Sequence, residues 1–64
     1  MTLVQMRRRI ELHARHCCTT CKVKLDKNRN CYVLTFPDGQ VVECGTDGPG
    51  VKAAFDVIRE YAAS

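Results

Sequence analysis

Residues 13 to 21 read HARHCCTTC, which places two histidines and three of the five cysteines within one short stretch. Zinc takes imidazole nitrogen and thiolate sulfur in a tetrahedral set, and ligand pairs two residues apart chelate well. His13, His16, Cys18 and Cys21 carry that spacing as HxxH followed by CxxC. Cys44 is a substitute ligand if its strand passes close. The set is crowded, because zinc modules usually draw two of their ligands from a distant pair. Four ligands here require the backbone to leave a helix near His16. The same residues also have a purely structural reading, with Cys17 on a buried stripe, Cys18 and Cys21 lining a turn as small hydrophobes, and the histidines in solvent.

Catalytic readings find less support. A redox CxxC wants its first thiol at a helix N-terminus after a strand, where the dipole lowers its pKa, but this one precedes a strand and no βαβ unit exists. A Cys/His hydrolase needs a cleft and an oxyanion hole, for which 64 residues leave little room. No paired carboxylates and no serine-centred motif occur. Gly45, Gly48 and Gly50 lie near a helix start without the basic residue a phosphate loop requires. We read the chain as a non-enzyme.

Size and charge set the frame for any such site. A domain of this length, residues 1–64, removes only about 60% of its unfolded surface from water, so its core is marginal. Five cysteines is an odd number, no charged-then-apolar leader precedes the domain, and no apolar run approaches the ~20 residues that span a bilayer. Those features predict a reducing cytoplasm, no membrane contact, and thiols or metal ligation rather than a disulfide framework. The net charge of +3 conceals a polarity: residues 1–30 hold eight basic against two acidic side chains, and residues 31–64 hold two against five. A domain polarised in this way orients toward a polyanion or an acidic protein surface.

The elements that must position these residues follow from periodicity. Val51, Ala54, Phe55, Ile58, Tyr61 and Ala62 recur at helical spacing after a DGPG start, which predicts an amphipathic helix of about three turns. Phe36-Pro37-Asp38-Gly39-Gln40 predicts a hairpin, with Gly39 in the closing bulge. Pairing Phe36 with Gln40 sets Tyr32, Leu34 and Phe36 beside Val42 and Cys44 on the face the helix should cover. Cys31, Val33 and Thr35 take the other face, so Cys31 and Cys44 should not bond. Lys22 to Leu25 alternates as a further strand, turning through residues 26–30. Residues 3–16 have two readings. Thr2 with Gln5 fits a capping box, and Leu3, Met6, Ile10, Ala14 and Cys17 make a helical stripe. Alternation of Ile10, Leu12 and Ala14 with polar neighbours fits a strand, and only that reading accounts for Leu12. We adopt the helix. The fold class is then α+β: one small α-β-β-β-α domain whose three-stranded antiparallel sheet is packed by helices.

That order, with YVLTFPDGQVVECGTDGPGVKAAFDVIREYAA over residues 32–63, resembles the double-stranded-RNA-binding domain. The resemblance implies duplex contact through the first helix, the first strand-to-strand loop and the start of the last helix. On this chain those are Arg7, Arg8, Arg9 and Arg15, then Lys27, Asn28 and Arg29, then Lys52. The family's lysine cluster at the last helix is reduced here to Lys52 alone, and the proline and histidine of its first loop are absent.

The same basic residues serve either of two expectations. One is a small regulator or inhibitor whose basic N-terminal face docks an acidic protein partner. The other is a nucleic-acid-binding module contacting the duplex backbone of RNA or DNA. Missing lysines rank the protein partner first. On a helix Arg7, Arg8 and Arg9 fan over half the circumference, and no aromatic residue interleaves them to build a stacking platform. An exposed sheet edge also offers a route to a homodimer.

Overall fold

A computed structural model of the chain describes residues 2–17 and 19–63. Its elements are α1 (Leu3–His16), β1 (Lys22–Asp26), β2 (Cys31–Thr35), β3 (Val41–Gly45) and α2 (Gly48–Ala63). The order is the predicted α-β-β-β-α, and the strands form an antiparallel meander β1-β2-β3. Among the described residues no helix is long and apolar enough to cross a membrane.

Residues 3–16 are helical for the reasons the capping box implies. Thr2 Oγ1 accepts the Gln5 N–H at 3.1 Å, and Gln5 Oε1 accepts the Thr2 N–H at 3.0 Å, so two donors at the helix start are satisfied reciprocally. Ile10 and Ala14 are buried, with Met6 and Cys17 packed against the core. Leu12, which only a strand would have hidden, stands 46% exposed. At the other end the Ala14 carbonyl accepts N–H groups from both Cys17 and Thr19 at 3.1 Å, which turns the chain out of the helix.

The hairpin has the predicted register. The Phe36 N–H donates to Gln40 O at 2.9 Å, the Gly39 N–H to Phe36 O at 3.0 Å, and Gly39 has φ 93°. Tyr32 then pairs with Cys44 and Leu34 with Val42. The β1–β2 turn is held by Asp26, whose Oδ1 accepts the N–H groups of Asn28 and Arg29 at 3.1 and 3.2 Å. Asn30 closes it at φ 53°, a left-handed conformation asparagine tolerates.

Both helices cover one face of the sheet, α1 over β1 and α2 over β3, and they touch each other. Between the layers lie Ile10, Val23, Tyr32, Leu34, Phe36, Ala54 and Ile58, each at most 3% exposed. Tyr32 keeps its polar end satisfied by donating its hydroxyl to Leu3 O at 2.9 Å. The His13 ring meets Phe55 edge-on at 4.8 Å and joins the helices, while Tyr61 stacks on Phe36 at 4.3 Å and fixes the end of α2 over the hairpin. Cys44 faces the helices and Cys31 the open side of the sheet; both are free thiols, as are Cys17 and Cys21.

α2 is longer than the three turns its apolar stripe predicts, at 16 residues, because Gly48-Pro49-Gly50 belong to it. Asp47 Oδ1 accepts the Gly50 N–H at 2.9 Å and Asp47 O accepts that of Val51, so Asp47 caps the helix and Gly48-Pro49-Gly50 form its first turn. This turn sits directly on the end of β3. A Cβ built on Gly50 would lie 2.3 Å from Gly45 O and 2.6 Å from Gly45 Cα.

Candidate functional site

The three consecutive arginines part company on α1 as helical geometry requires, each turned about 100° from the last. Arg7 turns toward the sheet. Its Nη1 lies 2.6 Å from Glu11 Oε1 and donates to the Val23 carbonyl at 3.3 Å, so its charge is spent inside the fold. Arg8 and Arg9 point outward and Arg15 is likewise exposed; none of the three has a carboxylate partner among the described residues. Arg29 pairs with Glu43 at 2.7 Å across the open sheet face, a solvent-exposed contact worth at most about 1 kcal/mol. Lys27 is exposed at the β1–β2 turn and Lys52 on the outer side of α2.

The geometry adds apolar residues to this set. Val4, Arg8, Leu12 and Arg15 follow one another at helical spacing along the outer side of α1, with Val4 57% and Leu12 46% exposed. Arg8, Glu11, Leu12 and Arg15 line a shallow depression of about 240 Å³. Glu11 and Arg15 also line its neighbour, about 210 Å³, with Thr19, Thr20, Cys21 and Lys22. The two depressions share Glu11 and Arg15 and together reach from the middle of α1 to the start of β1. Arg8, Arg15 and Lys22 supply their free cations, and Arg7 holds the Glu11 carboxylate. Val4, Leu12, Thr19 and Thr20 were absent from the residues picked out by charge, and Lys22 was counted in the basic half without being placed among the contact residues. Leu12 carried a usable signal, because an apolar residue off the buried stripe of an amphipathic helix marks a surface with something to bury.

The histidine and cysteine set is distributed between the two sides of α1. His13 packs against Phe55 and lies 3.8 Å, Nε2 to Sγ, from Cys17. His16 is exposed, Cys21 is buried on the β1 side, and Cys44 is buried between β3 and the helices. Cys18 lies outside the described residues. Among the described residues no three of His, Cys, Asp and Glu come together as a metal cage.

Burial pushes the Cys21 thiol up from its ordinary value, with the Glu11 carboxylate adding to it, and burial does the same to Cys44. Cys31 is also raised, first by desolvation and then by Glu43 and Asp26. These groups stay protonated thiols at neutral pH. The sign of the linkage follows: the neutral form is favoured in the fold, so stability is whole below the ordinary thiol value of 9.0 and falls as pH rises above it, because unfolded thiols ionise first. Tyr32, raised by burial, adds a loss of the same sign at higher pH. Urea unfolding at about pH 8 and about pH 10 is expected to show a lower midpoint at the higher pH, with a shallower fall in the Cys21→Ala/Cys44→Ala variant.

Compared with known proteins, the chain matches no family model, no curated protein and no solved structure.

Proposed function

We propose that this chain is a small non-enzymatic protein-binding module, a regulator or inhibitor, that docks an acidic partner surface with the outer side of α1. The observation that carries the reading is the exposure of Leu12 and Val4 in one stripe with Arg8 and Arg15. Protein interfaces are built from apolar anchors with arginine among and around them. Contact with a phosphate backbone uses the cations and leaves the leucine and valine in water. A helix face of this kind lies in a groove of its partner, with anchors four residues apart and acidic residues on the groove's rim. Arg9, Lys22 and Lys27 extend the positive field that steers the encounter.

The alternative reading, contact with duplex RNA or DNA, draws on the same cations and on the likeness of element order to the double-stranded-RNA-binding domain. It is weaker because two of the arginines it needs, Arg7 and Arg29, are already paired with Glu11 and Glu43, and Lys52 stands without a lysine cluster.

Two variants separate the readings. Leu12→Asp changes an exposed position and leaves folding within about 0.5 kcal/mol. It is expected to weaken partner capture roughly thirtyfold, as loss of an interface anchor does. Arg8→Glu/Arg15→Glu should abolish capture. Filter binding to duplex RNA and DNA at two salt concentrations is the counter-measurement. Salt-sensitive duplex binding that Leu12→Asp leaves unchanged would overturn the protein-docking reading in favour of nucleic acid.

A further inference from the structure

We propose that His13 and Cys17 together bind a borderline-soft divalent ion of the zinc class at the C-terminal end of α1. The two side chains are four residues apart on one helix and therefore lie one above the other. Their ligating atoms, His13 Nε2 and Cys17 Sγ, are 3.8 Å apart. A tetrahedral ion at ~2.3 Å from a thiolate and ~2.1 Å from an imidazole nitrogen holds those two atoms about 3.6 Å apart. The pair is thus within about 0.2 Å of the spacing an ion between them requires. As a hydrogen bond the same contact is long and rests on a weak sulfur donor or acceptor.

Neither group has to be recruited from elsewhere. The edge-on contact with Phe55 fixes the imidazole plane, and main-chain bonds from the Cys17 N–H to the carbonyls of His13 and Ala14 fix the base of the thiol. Both residues are half-buried, so the ion meets a partly desolvated pair that remains open to solvent. The carbonyl end of a helix favours a cation. This pair replaces the sequence-derived set of four, since Cys21 is buried on the opposite side of α1 beside Glu11 and His16 projects into solvent. Among the described residues these two are the ligands, which leaves positions on the ion open to water. The site stands apart from the docking face, because His13 and Cys17 turn toward α2 and Arg8 and Arg15 turn away from it.

Ligation replaces the thiol proton with the metal, so binding releases one proton and strengthens with pH. The test is a titration of the reduced chain with cobalt(II), whose thiolate-to-metal charge-transfer absorption reports a Co–S bond. The expected result is a band that saturates near one equivalent and is displaced by zinc. It should vanish in Cys17→Ser, weaken in His13→Gln, and persist in Cys21→Ser and His16→Gln. Cys17→His should keep cobalt affinity within about tenfold while losing the charge-transfer band, as an i, i+4 histidine pair would. No band in the wild type, or a band that survives Cys17→Ser, overturns the proposal. Cys17→Ser leaves the Phe55 contact in place, so the outcome does not depend on whether His13→Gln weakens the fold; helix content by circular dichroism checks each variant.

Discussion

Gly50→Ala is expected to destabilise the protein by about 3 kcal/mol or more, enough to unfold much of a domain whose whole stability is about 3–10 kcal/mol. Helix propensity alone predicts the reverse, since alanine exceeds glycine by about 1 kcal/mol in a helix. What decides is the approach of two backbones. The first turn of α2 lies against the end of β3, and the added methyl would stand 2.3 Å from Gly45 O, 2.5 Å from its carbonyl carbon and 2.6 Å from its Cα. None of these atoms belongs to a flexible side chain, so relief requires α2 to lift from the sheet and carry Val51 and Ala54 out of the core. Gly48 is the control. It lies two residues earlier in the same helix, where an added methyl would meet nothing within 4 Å beyond its chain neighbours, and because the following Pro49 offsets the gain in helix propensity, Gly48→Ala is expected to change stability by no more than about 1 kcal/mol. Urea unfolding of the two variants beside the wild type reads the difference, and equal midpoints for Gly48→Ala and Gly50→Ala would contradict the close packing of Gly45 on Gly50.

Leu34→Ala is expected to cost about 2–5 kcal/mol, the range for truncating a buried leucine. Leu34 is 0% exposed, lies on the central strand between Val23 and Val42, and sits beneath both helices. No other element can move to fill the space without giving up its own pairing. Val33, its neighbour, faces the open side of the sheet and is half-buried. Val33→Ala removes mainly strand propensity and should cost no more than about 1 kcal/mol. A thermal melt of the pair reads the difference, and near-equal losses would mean that the inner face of the sheet is not the one the helices cover.

The parts of the fold that were legible in the sequence are those set by short-range rules. Phe36 to Gln40 specifies the hairpin and its register by turn chemistry alone, and register in turn decides which face Tyr32, Leu34, Cys31 and Cys44 occupy. Thr2 with Gln5 specifies the start of α1. The helix over residues 3–16 outweighs the strand reading because burying Ile10 and Ala14 together with Met6 and Cys17 gains more than Leu12 loses by standing outside. The start of α2 was legible in Asp47-Gly48-Pro49-Gly50, because proline in a first helical turn forgoes only an N–H that has no partner there; its full length was not, since the apolar stripe begins only at Val51.

The candidate site was legible only as charge. Arg7, Arg8 and Arg9 are equivalent in sequence, yet one is consumed by Glu11 and the Val23 carbonyl while the others stay outside. That distinction depends on where β1 lies across the helix, a contact sixteen residues away in the chain. The pairing of His13 with Cys17 is masked by the x2 spacings of HxxH and CxxC, whereas a helix brings together residues four apart. The position of Arg15 beside Lys22 likewise needs the turn after α1, which local patterns do not describe.

The bond from Arg7 to Val23 also decides in which direction this sheet can grow. The hairpin directs the main-chain groups of Tyr32 and Leu34 toward β3, so those of Cys31, Val33 and Thr35 face β1 and Val23 turns its carbonyl to the outer edge. An extra strand arriving there meets a guanidinium already seated on that carbonyl. The outer edge of β3 has no such guard on Val41 or Glu43 among the described residues. Strand addition would therefore meet less obstruction at β3. Two copies joined through β3 would present to the outside the edges on which Arg7 holds the Val23 carbonyl, the contact that works against their running on as a fibre.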